Sequence, residues 1–321
     1  MVETSADKPE ILAFSDDAIA RVVEALQADQ PVALPTETVY GLAANAASAD
    51  AVAAIYRAKG RPDFNPLIVH VPDVSAARTI THFNAMAETL AKAFWPGPLT
   101  MVLPLSDNGR AKITPAVTAG LDTIALRCPA HRAMQTILHG SSLLLAAPSA
   151  NRSGAISPTA AAHVATSLQD RIDLVLDDGP CSAGVESTIV GVTGDGWRIL
   201  RPGPIAAQVI IDLLGIEPII ASDDKHITAP GQMASHYAPT KPLQLATTVS
   251  TADQWLIGFG EIAGDDTLSA RGDLAEAAAR LYAALHRADA SDRKRIGIAP
   301  IPDSGIGTAI NDRLRRAASK H

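Results

Sequence analysis

Between residues 15 and 214 the chain keeps switching between two hydrophobic periods, and that switching limits the folds open to it more than any other feature. Ser15 has the residue type of a helix N-cap and is followed by Asp16 and Asp17, which suit the positive end of a helix dipole. Ile19, Val22, Val23 and Leu26 then recur at helical spacing, Pro31 marks a stop, and Val32-Ala33-Leu34 reads as a short buried strand. Further helices are expected near 48–58, 84–93, 131–139, 158–168 and 204–214, with Pro204 at the start of the last. Strands are expected at 67–71, 99–103, 123–127, 143–146 and 174–176. Such alternation predicts an α/β layer architecture. The strands 187–192 and 197–200 are joined only by Thr193-Gly194-Asp195-Gly196, a hairpin signal, so the sheet is predicted to be mixed.

The texture changes after Gly215. Residues 221–242 carry three prolines and no clear period, as a linker would. Beyond them a strand near 254–259, a helix near 273–288, a strand near 295–299 and a helix near 305–318 predict a small second α/β unit. The division expected is therefore 1–215, 216–242 and 243–321.

With only 4% aromatic residues the core must be aliphatic, and a net charge of −7 tells against a surface built to grip nucleic acid. Cys128 and Cys181 are too far apart for a zinc pair and read as incidental thiols. The first ten residues are polar and acidic, unlike a secretory signal, and no apolar run reaches the length of a bilayer span. A cytoplasmic protein without membrane contact is expected.

Four clusters hold residues suited to chemistry. Pro35-Thr36-Glu37-Thr38-Val39-Tyr40-Gly41-Leu42 follows a buried strand at its C-terminal end, where α/β sheets bind ligands, although hydroxyl residues also serve ordinary turns. Lys59-Gly60-Arg61-Pro62-Asp63-Phe64-Asn65-Pro66 sets two cations in a loop stiffened by prolines, fit for a polyphosphate or for a solvated helix end. A Walker A loop is absent. Ala147-Pro148-Ser149-Ala150-Asn151-Arg152-Ser153-Gly154, with Ser157-Pro158-Thr159 after it, offers small donors and acceptors for close approach of a nucleotide. Ser157 also fits the N-cap of the following helix. Glu186-Ser187-Thr188-Ile189 and Arg201 end the hairpin, and His70 interrupts an apolar strand, where a satisfied core histidine is the ordinary explanation.

In order, the strings PTETVYGL, KGRPDFNPLIVH, FWPGPLT, IALRCPAH, APSANRSGAISPT, ESTIV and ILRPGPI resemble the YrdC-like threonylcarbamoyl-adenylate synthases. APGQMASHYAP and PIPDSGIGTAINDRLRRAA are similar to the longer, two-domain branch of that family. The resemblance implies a twisted mixed sheet curved around a concave cavity, followed by a small Rossmann-like domain. It implies a nucleotidyltransferase that joins L-threonine, bicarbonate and ATP, with Mg²⁺, into threonylcarbamoyl-AMP and pyrophosphate. The product would pass to a tRNA threonylcarbamoyl transferase complex, without a stable nucleic-acid complex on this chain.

By motif position, Thr38, His70, Arg127, Ala147 and Ser187 would surround threonine, Ala147 through its backbone. Arg61, Asn65, Thr123, Ser149, Ser157, Arg201 and Tyr237 would contact ATP, with Lys59 and Asn151 as further nucleotide contacts. Lys59 and Arg61 would stabilise the transferred charge, Tyr237 would act as a lid, and no protein-held metal site is expected. The alternative from another class is an RNA-binding module using the concave surface. The carbamoyl-transfer module of hydrogenase-maturation enzymes shares this domain, but its cysteine-rich zinc modules have no counterpart in the sequence.

Overall fold

In a computed structural model that describes residues 8–62, 64–219 and 236–319, two sheets are present, one of ten strands and one of four. The first contains β1 (Glu10–Ala13), β2 (Val32–Leu34), β3 (Gly41–Asn45), β4 (Ile68–His70), β5 (Leu99–Pro104), β6 (Thr123–Arg127), β7 (Leu145–Ala146), β8 (Leu174–Asp177), β9 (Thr188–Thr193) and β10 (Gly196–Arg201). Their spatial order is β1-β8-β2-β3-β7-β4-β6-β5-β9-β10. The β9–β10 hairpin is antiparallel, and β4 runs parallel to β6, so the sheet is mixed as the Gly-rich turn predicts.

Alternate side chains sort themselves between two aliphatic layers, as the two-residue period of a strand requires. Val32, Leu34 and Ala43 join the layer under helices Asp16–Gln27 and Arg132–Ser141, with Val22, Leu26, Met134 and Ile137. Ala33, Leu42 and Ala44 face the larger layer, which contains Val52, Ile55, Leu90, Val164 and Ile210 from helices on the other side. Ser15 caps its helix as predicted, accepting from the Ala18 N–H.

The departures have local causes. β3 was not expected, because GLAAN has neither β-branched nor aromatic residues; its pairing with β2 and β7 overrides that weak propensity. The expected helix at 158–168 begins instead at Ala161, and Ala160, not Ser157, is its N-cap. Ser157 is turned away to a carboxylate described below. Likewise the helix after Pro204 spans Ala207–Leu214.

The small sheet is entirely parallel, in the order β11 (Leu243–Gln244), β14 (Arg295–Ile298), β12 (Gln254–Gly258), β13 (Asp266–Thr267). Helices Leu274–Ala290 and Gly307–Ala318 pack on it through Leu281, Leu285, Ile310 and Leu314. This second core is continuous with Val39, Ile156 and Val185 of the first unit. The two units approach closely at Gly184, with φ +71, where an added Cβ would lie 2.2 Å from the Ala278 carbonyl oxygen. Most of the expected linker lies outside the described residues, Gln232 among them. The part described from His236 onward is tied to the large unit by the Ala238 N–H, which donates to the Gly154 carbonyl at 2.8 Å.

Candidate functional site

Four walls surround one cavity, which has about 570 Å³ of empty space including its open mouth. Its first wall is the loop between β2 and β3. Thr36 shapes that loop: its hydroxyl accepts from the N–H groups of Thr38 and Val39 and donates to the Val39 carbonyl at 2.6 Å. This turns the Thr38 hydroxyl inward, where Arg127 donates to it at 2.8 Å. The same guanidinium lies 2.6 Å from the Glu37 carboxylate and donates to the Gly97 carbonyl. Glu37 is therefore charged although buried: desolvation pushes its carboxyl up, but Arg127 pulls it lower still.

β4 and β6 supply the second wall, pairing His70 with Arg127 in parallel register. His70 Nδ1 is buried without a hydrogen-bond partner. Burial, aided by Arg127, pushes the imidazole down to about 3, so it is neutral. A satisfied core histidine is thus the wrong description for this residue. It lines a cavity with a polar atom to spare.

The third wall is the strand exit at Ala147–Ser149, held by the Ala147 N–H to the Ile68 carbonyl and by the Leu42 N–H to the Pro148 carbonyl. The Ala147 N–H is thereby occupied, and a ligand would meet its carbonyl. Ser187, immediately before β9, and Arg201, the last residue of β10, form the fourth wall. Arg201 donates to the Ser187 carbonyl and hydroxyl, and Ser187 shares a 2.7 Å hydrogen bond with Thr100. Arg61 completes the lining, oriented by bonds to the Asn65 and Pro66 carbonyls. Burial pushes it down to about 10, still charged at neutral pH.

Tyr237 and His236 close the cavity, their rings 4.1 Å apart. Tyr237 is 1% exposed and has φ 64, a left-handed backbone uncommon for a bulky residue and held here by its surroundings. Arg313 stacks over its ring at 5.3 Å.

Of the fourteen residues singled out from the sequence, Thr38, Arg61, His70, Arg127, Ala147, Ser149, Ser187, Arg201 and Tyr237 line this cavity. The other five do not line it: Lys59, Asn65, Asn151 and Ser157 brace neighbouring segments, and Thr123 lies elsewhere. Lys59 is buried, its Nζ donating to the carbonyls of Ser149 and Asn151 at 2.5 Å each, so it pins the third wall to the helix carrying it. Burial, and secondarily Arg61, pushes its pKa well below the ordinary lysine value. Asn151 spans its own loop by donating to the Arg152 and Ala155 carbonyls. Asn65 presents its carbonyl to Arg61 and to the Tyr56 hydroxyl. Thr123 opens β6 at the far end of that strand from Arg127. Ser157 donates to the Glu186 carboxylate at 2.6 Å and leaves the expected helix uncapped.

Sequence reasoning gave no role to Glu37, Glu186, Tyr282 or Arg313. Glu186 lines the cavity, with Ser157, Tyr282 and Arg313 all donating to its carboxylate. A signal for Arg313 does exist: Ile310, Leu314 and Ala317 recur at helical spacing around it, placing an arginine on an apolar stripe.

The family model described as "Telomere recombination" matches residues 24–203, and that described as "Threonylcarbamoyl-AMP synthase, C-terminal domain" matches residues 205–319. A threonylcarbamoyl-AMP synthase of Bacillus subtilis is 39% identical over 335 aligned positions, covering 97% of this chain and 96% of the relative. One from Pyrococcus abyssi is 36% identical, covering 89% and 90%. The crystal structure of P. abyssi Sua5 complexed with L-threonine superposes with a TM-score of 0.88 at 33% identity, over 97% of this chain and 98% of that one. With both units matched and the two-sheet architecture reproduced, the chain belongs to the threonylcarbamoyl-AMP synthase family.

Proposed function

We propose that the chain condenses L-threonine, bicarbonate and ATP into threonylcarbamoyl-AMP, releasing pyrophosphate, as an early step of threonylcarbamoyladenosine modification of tRNA. One observation carries the reading: a single cavity gathers Thr38, His70, Arg127 and Ser187 beside Arg61, Ser149 and Arg201, under Tyr237. The first group suits a small hydroxy amino acid and the second a polyphosphate. The L-threonine held by the P. abyssi structure supports the first half. The RNA-binding alternative has less support, because these polar groups line a concave cavity of about 570 Å³, its mouth included, instead of a flat surface.

Arg127 offers the threonine carboxylate a planar fork, with Glu37 and Thr38 fixing its orientation. Neutral His70 can orient the amino acid through hydrogen bonds, but a group titrating at about 3 is too weak a base to keep the amine proton at neutral pH. The amine nitrogen displaces water from bicarbonate to give the carbamate, whose oxygen then attacks the α-phosphorus as the bond to pyrophosphate breaks. Such a displacement needs alignment and charge neutralisation above all. Arg61 and Arg201 supply fixed positive charge, and Lys59 keeps the Ser149–Asn151 loop in place. Mg²⁺ enters as part of the substrate, riding on the phosphates, since both oxygens of Glu186 are already engaged. Tyr237 shields the labile carbamate from water.

We place this activity in the cytoplasm, handing its product to a tRNA threonylcarbamoyl transferase complex by transient contact. No described helix is long and apolar enough to cross a membrane.

The test is pyrophosphate release from ATP with threonine and bicarbonate omitted in turn. Release that requires both, and falls by about 100-fold or more in Arg61→Ala, is expected. Release independent of threonine would refute the assignment.

A further inference from the structure

Glu186 is, among the described residues, the one carboxylate lining the cavity. That is an awkward group to face a polyphosphate, and its surroundings show how the charge is handled. Ser157 donates to Oε1 at 2.6 Å, the Tyr282 hydroxyl approaches Oε2 at 2.9 Å, and Arg313 Nε donates to Oε2 at 2.7 Å. Tyr282 and Arg313 both belong to the small second unit, on helices Leu274–Ala290 and Gly307–Ala318. Arg313 is 1% exposed, and it also donates to the Glu186 and Pro202 carbonyls, so it grips the chain on either side of the β9–β10 hairpin. Burial alone would push the Glu186 carboxyl up, yet Arg313 and then Arg201 hold it at about 2. An arginine placed on an apolar helix stripe carries a desolvation cost that docking by aliphatic side chains would avoid. Its placement opposite this carboxylate accounts for it.

We propose that Arg313 and Tyr282 are positioning residues of the synthase site: from the small unit, they neutralise Glu186 and turn its carboxylate onto Ser157, away from the seat of the ATP phosphates. The inference rests on the synthase reading and assigns the second unit a part in ATP binding. Without the clamp, the carboxylate would compete with the triphosphate for Arg201, whose guanidinium lies on the adjoining strand end. Threonine, bound at the Thr38–Arg127 end, would be affected far less.

The experiment uses the full chain and steady-state pyrophosphate release. Arg313→Met is expected to raise KM for ATP at least tenfold, with kcat and KM for threonine each moving less than threefold. Tyr282→Phe, which deletes one hydroxyl and keeps the packing, should raise KM for ATP two- to fivefold and serves if the methionine variant does not fold. The decisive comparison is Glu186→Gln with Glu186→Gln/Arg313→Met. If Arg313 acts by neutralising Glu186, removing the charge should abolish most of the Arg313→Met defect, leaving the pair within threefold of each other. Additive losses in the double variant, or an unchanged KM for ATP in both Arg313→Met and Tyr282→Phe, would overturn the clamp while leaving the synthase reading intact. Absence of threonine-dependent turnover in the unmodified chain would overturn the synthase reading, and the clamp with it.

Discussion

Gly184 provides a quantitative test of how tightly the two units are joined, because Gly179 supplies its control in the same loop. Both have left-handed backbones, with φ +71 and φ +85. An alanine at either position therefore incurs the same intrinsic penalty, about 1–2 kcal/mol for an L-residue in that region. Their surroundings differ completely. A Cβ at Gly179 meets nothing within 4 Å, whereas one at Gly184 lies 2.2 Å from the Ala278 oxygen and 2.4 Å from the Ala279 Cα. Those are backbone atoms of helix Leu274–Ala290 and cannot swing aside. Overpacking against a rigid element costs about 1–3 kcal/mol, so Gly184→Ala should be less stable than Gly179→Ala by that amount. Denaturant unfolding at 25 °C, followed by both tryptophan emission and far-UV circular dichroism, measures the difference and reports whether the two units separate before they unfold. Equal destabilisation of the two variants, within about 0.5 kcal/mol, would refute the close docking of the helix on this loop.

Two further outcomes are expected. His70, His163 and His236 are each pushed down to about 3, chiefly by burial, so the unfolded chain binds protons that the folded chain refuses; the stability they confer is complete above their unfolded value near 6.5 and is lost as pH falls toward 3. The slope should approach about 4 kcal/mol per pH unit for three such imidazoles, and His163→Phe should flatten it by about a third, while constant stability from pH 7 to 5 would contradict the argument. Glu37→Gln should lower stability by about 3–5 kcal/mol in chemical denaturation, because it strands the buried Arg127 charge, and a loss under 1 kcal/mol would mean that the pair is solvated.

The site was legible in sequence wherever its residues sit in continuous strings, and less so where tertiary contacts decide. Thr38 and Ser187 fall in polar clusters at strand ends, but their roles, and Arg127 altogether, come from the resemblance of the strings PTETVYGL, ESTIV and IALRCPAH to a known family. Lys59 could be placed beside Arg61, although it ends a helix and is not part of the loop, and its partners, the carbonyls of Ser149 and Asn151 some ninety residues on, leave no trace in local pattern. Ser157 illustrates competition between two valid rules. A serine before a helix should cap it, yet a charged acceptor 29 residues away is the stronger partner. β3 escaped for a related reason: Gly, Ala and Asn carry little strand preference, and pairing on both edges supplies what propensity lacks. In the fold as a whole, period and turn chemistry predicted the layers and the mixed sheet, while strand order came from long-range pairing alone.

The clamp on Glu186 also sets a schedule for the nascent chain. Arg313 is made 127 residues after the carboxylate that it neutralises. At about 5–20 residues per second, translation leaves an interval of roughly 6–25 s in which the large unit can collapse while its cavity still faces an unbalanced negative charge. During that interval the half-made protein should be a poor ligand for ATP. Tight ATP binding would arrive in one step, when helix Gly307–Ala318 emerges and docks, so that a chain interrupted before Arg313 should need more ATP to turn over.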